Sequence, residues 1–124
     1  MKVILSIKPE FANKIFTGDK HYEFRRSIFK QKKEVKTVIV YASAPISKVI
    51  GEFDLEYIIE NKIDELWEIT KNYSGISENF YRQYFTGKVQ GFALKVKEPK
   101  LYEKPLDIQD AYGLKAPQSF AYVR

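Results

Sequence analysis

The densest group of ionisable side chains lies in the nine residues from Gly18 to Arg26. The spacing places Glu23 and Arg25 on one face of an extended strand, with Lys20 in the turn before it. Lysine supplies a mobile positive charge, arginine a planar fork for a phosphate or base edge, and glutamate an acceptor for an exocyclic amine. These three side chains are therefore expected to line one concave surface. The alternative interpretation is an ion-pair network on a solvated face.

Other catalytic chemistries find less support in the residue types. The single histidine, His21, and the absence of cysteine leave no thiol nucleophile and few of the usual zinc ligands. The sequence has no Gly-x-Ser-x-Gly motif, and Gly87-Lys88 lacks the upstream glycine and hydroxyl residue of a Walker loop. We expect no metal and no cofactor, with carboxylate-bound magnesium as an open alternative.

The charge distribution suits a polyanionic partner. The 124 residues include 21 Lys and Arg against 16 Asp and Glu, a formal net charge of +5. Basic zones at residues 1–51 and 81–124 flank an acidic zone at 52–80. A cleft of one charge sign concentrates phosphate groups and steers them inward. A soluble surface with scattered lysines would give the same totals.

The N-terminal apolar run from Met1 to Ile7 is interrupted by Lys8 and Pro9. This run is too short for a signal peptide or a bilayer span. The absence of cysteine is compatible with a reducing compartment. We therefore expect no membrane segment and a cytoplasmic protein.

The length of 124 residues predicts one domain at residues 1–124, and apolar periodicity predicts an α+β class. Val3 to Ile7 is typical of a short buried strand, and Pro9 suits the first turn of a helix that Gly18 ends. The later patterns predict strands at 21–25, 38–42, 49–57, 89–96 and 119–123, helices after Asn61 and Ser77, a bulge at Gly51 and a loop at 97–118. The expected architecture is five or six mostly antiparallel strands with three helices, either an α+β sheet or a small partly closed barrel.

Aromatic and amide side chains add further candidate contacts. Gln118 and Ser119 follow Pro117 in a stiff turn, where they suit reading an amide or base edge or capping the last strand. A base stacked on an aromatic face gains about 1–3 kcal/mol. The candidates in or near predicted strands, most of which we expect in the core, are Tyr41, Tyr57, Tyr84, Phe120 and Tyr122.

Several motifs together resemble the signature of ASCH domains, small members of the PUA-like superfamily, over roughly residues 3–123. These motifs are Ser6-Ile7-Lys8-Pro9, Gly18-x-Lys20-x-x-Glu23-x-Arg25, Tyr41-Ala42-Ser43-x-Pro45, Gly51-Glu52-Phe53 and Pro117-Gln118-Ser119-Phe120. The resemblance implies a PUA-like, mixed but mostly antiparallel β-barrel with about three helices at its edge. It also implies a cleft, lined by the signature residues, that accommodates RNA or a modified nucleobase.

Some ASCH relatives are similar to amidohydrolases that deacetylate N4-acetylcytidine with a lysine, a threonine and a glutamate, and others are described as ribonucleases. Carried onto this sequence, the lysine corresponds to Lys20. The threonine position holds Glu23, so the hydroxyl nucleophile is missing, and Glu78 is only a nearby candidate for the glutamate.

Binding of single-stranded RNA or a nucleotide-like ligand is the first functional hypothesis. Lys8, Lys20 and Arg25 would hold phosphate or base, and Glu23 would select an amino group, because unpaired bases expose their edges. The remaining candidate ligand-binding residues are Tyr41, Ser43, Gln118 and Ser119.

The second hypothesis is a hydrolase acting on a nucleoside or RNA, by amide hydrolysis or phosphodiester cleavage. In this case Glu23 is the general base, and Lys20 stabilises a developing oxyanion. A third hypothesis is a regulatory domain that recognises a protein or a small metabolite through the same cleft. The sequence leaves the oligomeric state open.

Overall fold

The computed structural model describes residues 1–123 and contains six strands and four α-helices within that range. The strands are β1 (Lys2–Ile7), β2 (Tyr22–Arg25), β3 (Thr37–Ala42), β4 (Lys48–Lys62), β5 (Gln90–Leu106) and β6 (Phe120–Val123). The helices are α1 (Pro9–Thr17), α2 (Ile63–Thr70), α3 (Glu78–Tyr84) and α4 (Ile108–Tyr112), with a 3₁₀ turn at Lys71–Tyr73.

The strands form one mixed sheet in the order β2-β5-β4-β3-β1-β6. The β1–β3 pair is parallel and the other four pairs are antiparallel, which confirms the predicted α+β class. The predicted barrel is not confirmed, because β2 and β6 are the two edges of the sheet and no ladder joins them within residues 1–123.

The segment after residue 96 differs from the predicted loop. Strand β5 continues to Leu106 because its distal half pairs with β4, with Leu101 opposite Gly51 and Leu106 opposite Val49. Helix α4 then begins after Asp107, whose side chain accepts a hydrogen bond from the backbone N–H of Asp110 at 3.0 Å. An N-cap of this kind satisfies a helix donor that would otherwise be orphaned.

Alternation along the central strands divides the core between the two faces of the sheet. Val3, Leu5 and Ile7 of β1 face the cluster that contains Ala12 and Ile15 of α1. The opposite face holds a smaller cluster, made of Ile4, Ile39, Tyr41, Val49 and Ile108. Successive side chains of a strand point to opposite faces of the sheet, so the apolar residues on one face hold α1 against it. The turn after α1 then leads into β2.

The predicted bulge at Gly51 is confirmed, since the β4–β5 register shifts between Val49 and Gly51. A Cβ atom at Gly51 would lie 2.5 Å from the carbonyl oxygen of Lys100 and 2.6 Å from the ring of Phe16. Only glycine allows β4 to approach β5 and α1 this closely.

Helices α2 and α3 support β2 from the side. Leu66, Trp67 and Tyr81 form a third apolar cluster with Tyr22 and Phe24 of β2. Ser77 caps α3 by accepting a hydrogen bond from the backbone N–H of Phe80 at 3.1 Å. In residues 1–123, every helix is too short or too polar to cross a lipid bilayer.

Candidate functional site

A cavity of about 320 Å³ lies where the end of β1, the start of α1, strand β2 and helix α3 meet. We call it the Lys20 pocket. It is lined by Ser6, Ile7, Lys8, Phe11, Lys20, Glu23, Phe24, Arg25, Ser43, Ile76, Phe80, Tyr84 and Gln118. Concave sites with an apolar wall and a few convergent polar groups are the usual form of small-molecule sites.

Lys20 is almost completely buried, with 2% of its surface exposed. Gly18, at a φ of 88°, ends α1 in the left-handed conformation and turns the chain back toward the pocket. The Lys20 Nζ donates a hydrogen bond to the carbonyl oxygen of Ser74 at 2.8 Å. It also lies 4.8 Å from the ring centroid of Phe24 and 5.5 Å from that of Phe11. Two aromatic rings and one carbonyl therefore replace most of its water.

Burial lowers the pKa of Lys20 to about 8, because the protonated amine loses its hydration. The carboxylate of Glu23 acts in the opposite direction, and the positive charge of Lys14 adds to the lowering. At neutral pH a larger fraction of this amine is therefore unprotonated than in an ordinary exposed lysine. A lysine with this property can act as an acid or a base in catalysis.

Glu23 is the buried acid of the pocket, with 6% of its surface exposed. Burial raises the pKa of its carboxyl, and the positive charges of Arg25 and Lys20 act against that rise. Its Oε2 accepts a hydrogen bond from the Arg25 Nη1 at 3.4 Å, which is longer than an ideal charge-assisted bond. The acid is therefore only weakly engaged and can form a better contact with a ligand.

Arg25 connects the two edges of the sheet. Its Nη1 donates to the carbonyl oxygen of Ser6 at 3.3 Å, and its Nη2 donates to the carbonyl oxygen of Ser119 at 2.8 Å. Ser6 Oγ in turn donates to the carbonyl oxygen of Pro117 at 2.5 Å. These bonds hold the segment that carries Gln118 against the pocket and fix the guanidinium in one orientation.

Aromatic side chains form the remaining wall. The rings of Phe11 and Phe80 meet edge to face at a centroid distance of 5.1 Å, and the Nζ of exposed Lys8 lies 5.8 Å from the Phe80 centroid. The Tyr84 hydroxyl donates to the carbonyl oxygen of Phe24 at 3.0 Å, and burial raises the pKa of Tyr84. The pocket therefore combines ring surfaces with charged groups.

Six of the eight predicted site residues meet at the pocket, namely Lys8, Lys20, Glu23, Arg25, Ser43 and Gln118. Tyr41 lies elsewhere: it is 7% exposed and packs with Ile4 and Ile39 on the opposite face of the sheet. Ser119 is outside the lining and contacts it through Arg25. Glu78 is also outside, where it pairs with Arg82 at 3.2 Å. The ligand contacts of all these residues stay predictions.

The pocket wall also contains three residues outside the quoted motifs, Phe11, Ile76 and Phe80. Ser6 belongs to the first of those motifs, and Tyr84 is one of several aromatic candidates. The helical spacing of Phe11 and Phe80 is equally typical of an apolar stripe in the core. The position of Phe11 in the sequence could have indicated that it lines the pocket, because it follows Lys8 and Pro9 at the start of α1.

The ASCH domain family model matches residues 5–100. A Zymomonas mobilis protein named ASCH domain-containing ribonuclease is 32% identical over 129 residues, covering 99% of this chain and 84% of that protein. The Ureaplasma parvum protein named large ribosomal subunit protein uL22 is 32% identical over 123 residues. That match covers 98% of this chain but only 39% of the Ureaplasma protein. A crystal structure of ASCH from Zymomonas mobilis superposes with a TM-score of 0.87 at 29% identity, covering 99% of this chain and 87% of that one. These findings confirm the resemblance, and the chain belongs to the ASCH domain family.

Proposed function

We propose that the Lys20 pocket binds one unpaired nucleotide of an RNA strand. The observation that carries the proposal is the convergence of Lys8, Lys20 and Arg25 with the buried carboxyl of Glu23 in a cavity of about 320 Å³ with aromatic walls. The ribonuclease name of the Zymomonas relative supports RNA as the class of ligand.

Each part of the wall suits one part of a nucleotide. The rings of Phe11 and Phe80 offer apolar surface to a base. Exposed Lys8 can follow a phosphate without losing an ion pair, because it forms no salt bridge within residues 1–123. Glu23 can accept from an exocyclic amine, and the fixed guanidinium of Arg25 favours a negative group at the mouth.

A pair of lysine variants tests the binding proposal. Lys8→Ala and Lys104→Ala each remove one exposed positive charge, but only Lys8 lines the pocket. Labelled single-stranded RNA is titrated against both variants and the wild type at several salt concentrations. For a single strand, log K falls with log salt, and loss of one phosphate contact makes this negative slope shallower by about 0.7. We expect that change in Lys8→Ala alone, and equal slopes in both variants would contradict the proposal.

Hydrolysis in the same pocket is the second candidate function. Two groups of the pocket with shifted pKa values favour this function. The pKa of the Lys20 amine is lowered to about 8, and the pKa of the Glu23 carboxyl is raised. In this proposal Glu23 takes the proton of the attacking group, which is water or a ribose 2′-hydroxyl, and Lys20 stabilises the developing oxyanion. The scissile bond is the phosphodiester of RNA or the amide of an acylated base such as N4-acetylcytidine.

The hydrolase candidate is tested with Glu23→Gln, and Glu103→Gln on the exposed part of β5 serves as the matched control. RNA and N4-acetylcytidine are each incubated with the three proteins, with and without magnesium. General-base catalysis contributes about 10²–10⁴-fold, so Glu23→Gln should lose turnover by that factor while the control retains it. Absence of turnover by the wild type, or equal turnover by all three, would reject the candidate.

A further inference from the structure

Two lysines reach the same turn between α2 and α3 from different surroundings. Lys14 is exposed, and its Nζ donates to the carbonyl oxygen of Gly75 at 3.0 Å. Lys20 is 2% exposed, and its Nζ donates to the neighbouring carbonyl of Ser74 at 2.8 Å. Within residues 1–123, no carboxylate oxygen lies within 4.0 Å of the Lys20 Nζ. Both amines therefore donate a hydrogen bond to a backbone carbonyl oxygen, and they differ in burial.

Burial works against the protonated form of Lys20, because it removes the water around the ammonium, and it lowers the pKa to about 8. This effect outweighs the Glu23 carboxylate, which raises the pKa, and the contacts of the ammonium with a carbonyl oxygen and two aromatic rings. The neutral amine is the nucleophile, and desolvation in an apolar pocket is one of the ways in which proteins activate lysine for attack on carbonyl groups. Lys20 also lines the pocket, so its side chain borders the space that a ligand would occupy.

We propose that Lys20 is a covalent capture site for small oxo acids, through an imine formed inside the pocket. The nitrogen lone pair attacks the carbonyl carbon, and a C=N bond replaces the C=O bond. The carbonyl oxygen leaves with the two amine protons as one water molecule, so the step needs neither an oxidant nor a reductant. This activity goes beyond nucleotide binding and does not depend on it.

The charges around the amine select the acid group of the ligand. Lys8 and Arg25 line the same pocket together with one acid, Glu23, whose pKa is raised by burial so that its negative charge is disfavoured. A guanidinium or ammonium favours a carboxylate over a neutral substituent. An oxo acid therefore places its carbonyl at Lys20 and its carboxylate toward the two cationic side chains. A neutral aldehyde of similar size lacks this second contact.

Reductive trapping tests the proposal on the intact wild-type protein. Glyoxylate is added at pH 7.5 with cyanoborohydride, which reduces any imine to carboxymethyllysine, and the modified residues are located by peptide mapping. At this pH a lysine with a pKa near 8 carries roughly a hundredfold more neutral amine than one near 10.4. We expect Lys20 to be modified at least tenfold faster than Lys14. Equal rates, or modification confined to exposed lysines, would overturn the proposal.

Two further measurements separate selective capture from general reactivity. Acetaldehyde replaces glyoxylate, and each Lys20 rate is divided by the Lys14 rate of the same sample. The ratio should be several-fold higher with glyoxylate, and a ratio that does not change would overturn the selection of acids. In Lys8→Ala the glyoxylate ratio should fall, while retention of the full ratio would contradict the proposed carboxylate contact. The assay contains no RNA, so its failure leaves nucleotide binding untouched, and the RNA titration can fail without affecting it.

Discussion

Two cavities of nearly equal size differ in how they hold their charges. The Lys20 pocket has a volume of about 320 Å³ and contains Lys20 and Glu23, both buried. The second cavity, of about 310 Å³, lies between the β2–β3 connector and β4, and we call it the connector groove. Its residues are Lys32, Lys33, Val35, Lys36, Leu55, Glu56, Tyr57, Ile58 and Glu60.

The three lysines and two glutamates of the groove are all exposed. Water screens such charges, so the attraction between them contributes little to stability. Buried charges instead need a rigid frame that supplies hydrogen bonds. Cavity volume alone therefore does not distinguish the two cavities, whereas the burial of Lys20 and Glu23 does.

The largest loss of stability is expected from a change in the backbone that packs against Lys20. Gly75 has a φ of 70°, and a Cβ atom there would lie 2.6 Å from the Lys20 Cβ. Gly113 has a similar φ of 66° with no atom within 4 Å of that position, so it is the matched control. A left-handed alanine costs roughly 1 kcal/mol, and overpacking adds about 1–3 kcal/mol.

We expect Gly75→Ala to lower the free energy of unfolding by about 2–4 kcal/mol and Gly113→Ala by about 1 kcal/mol. Urea denaturation of the two variants and the wild type measures the difference. Equal losses would show that Lys20 is not held by this contact.

The pH dependence of stability separates the buried lysine of the pocket from the exposed lysines of the groove. The pKa of Lys20 is about 8 in the folded protein against an ordinary value of 10.5. Between these two values the unfolded chain binds more protons, so stability rises with pH; below pH 8 both states are protonated and the contribution is constant.

Relative to Lys20→Met, the wild type should gain stability from pH 8 to pH 10.5, by up to about 3 kcal/mol. The control is Lys36→Met, which removes an exposed lysine of the groove. Denaturation at pH 7, 8, 9 and 10 gives both curves. Parallel curves for Lys20→Met and wild type would contradict the lowered pKa.

Aromatic contacts offer a third comparison between the cavities. Phe80 lines the pocket, and Tyr57, 45% exposed, lines the groove. Phe80→Ala should weaken binding of single-stranded RNA by about 1–3 kcal/mol through loss of stacking, while Tyr57→Ala should leave it nearly unchanged. Fluorescence anisotropy with a labelled RNA measures both. If the tyrosine variant shows the larger loss, the RNA runs through the groove instead.

Part of this site follows from the sequence because local rules decide it. The glycine that ends α1 and the alternation of side chains along β2 are enough to bring Lys20, Glu23 and Arg25 to the Lys20 pocket. The same alternation could have placed Tyr41 correctly. Val40 and Ala42, its neighbours on β3, face the α1 side, so Tyr41 faces the other.

Long-range contacts decide the rest. Helical spacing cannot distinguish a core phenylalanine from a pocket wall, and the meeting of Phe11 with Phe80 depends on how α3 packs. Strand β5 beyond residue 96 contains Pro99 and Pro105 and many charges, which disfavour a strand locally. Its pairing with β4 overrides that preference.

The smallest expected effect concerns the groove lysines themselves. Lys33 and Lys8 are both exposed, so a purely electrostatic attraction of RNA would treat them alike. If the strand is held at the pocket, Lys33→Ala should change RNA affinity by less than about twofold and leave the salt slope unaltered, whereas Lys8→Ala should lower that slope. Titrations at several salt concentrations compare the two variants. A slope that falls equally in both would mean that the phosphates contact both cavities, and burial would then no longer distinguish the pocket from the groove in RNA binding.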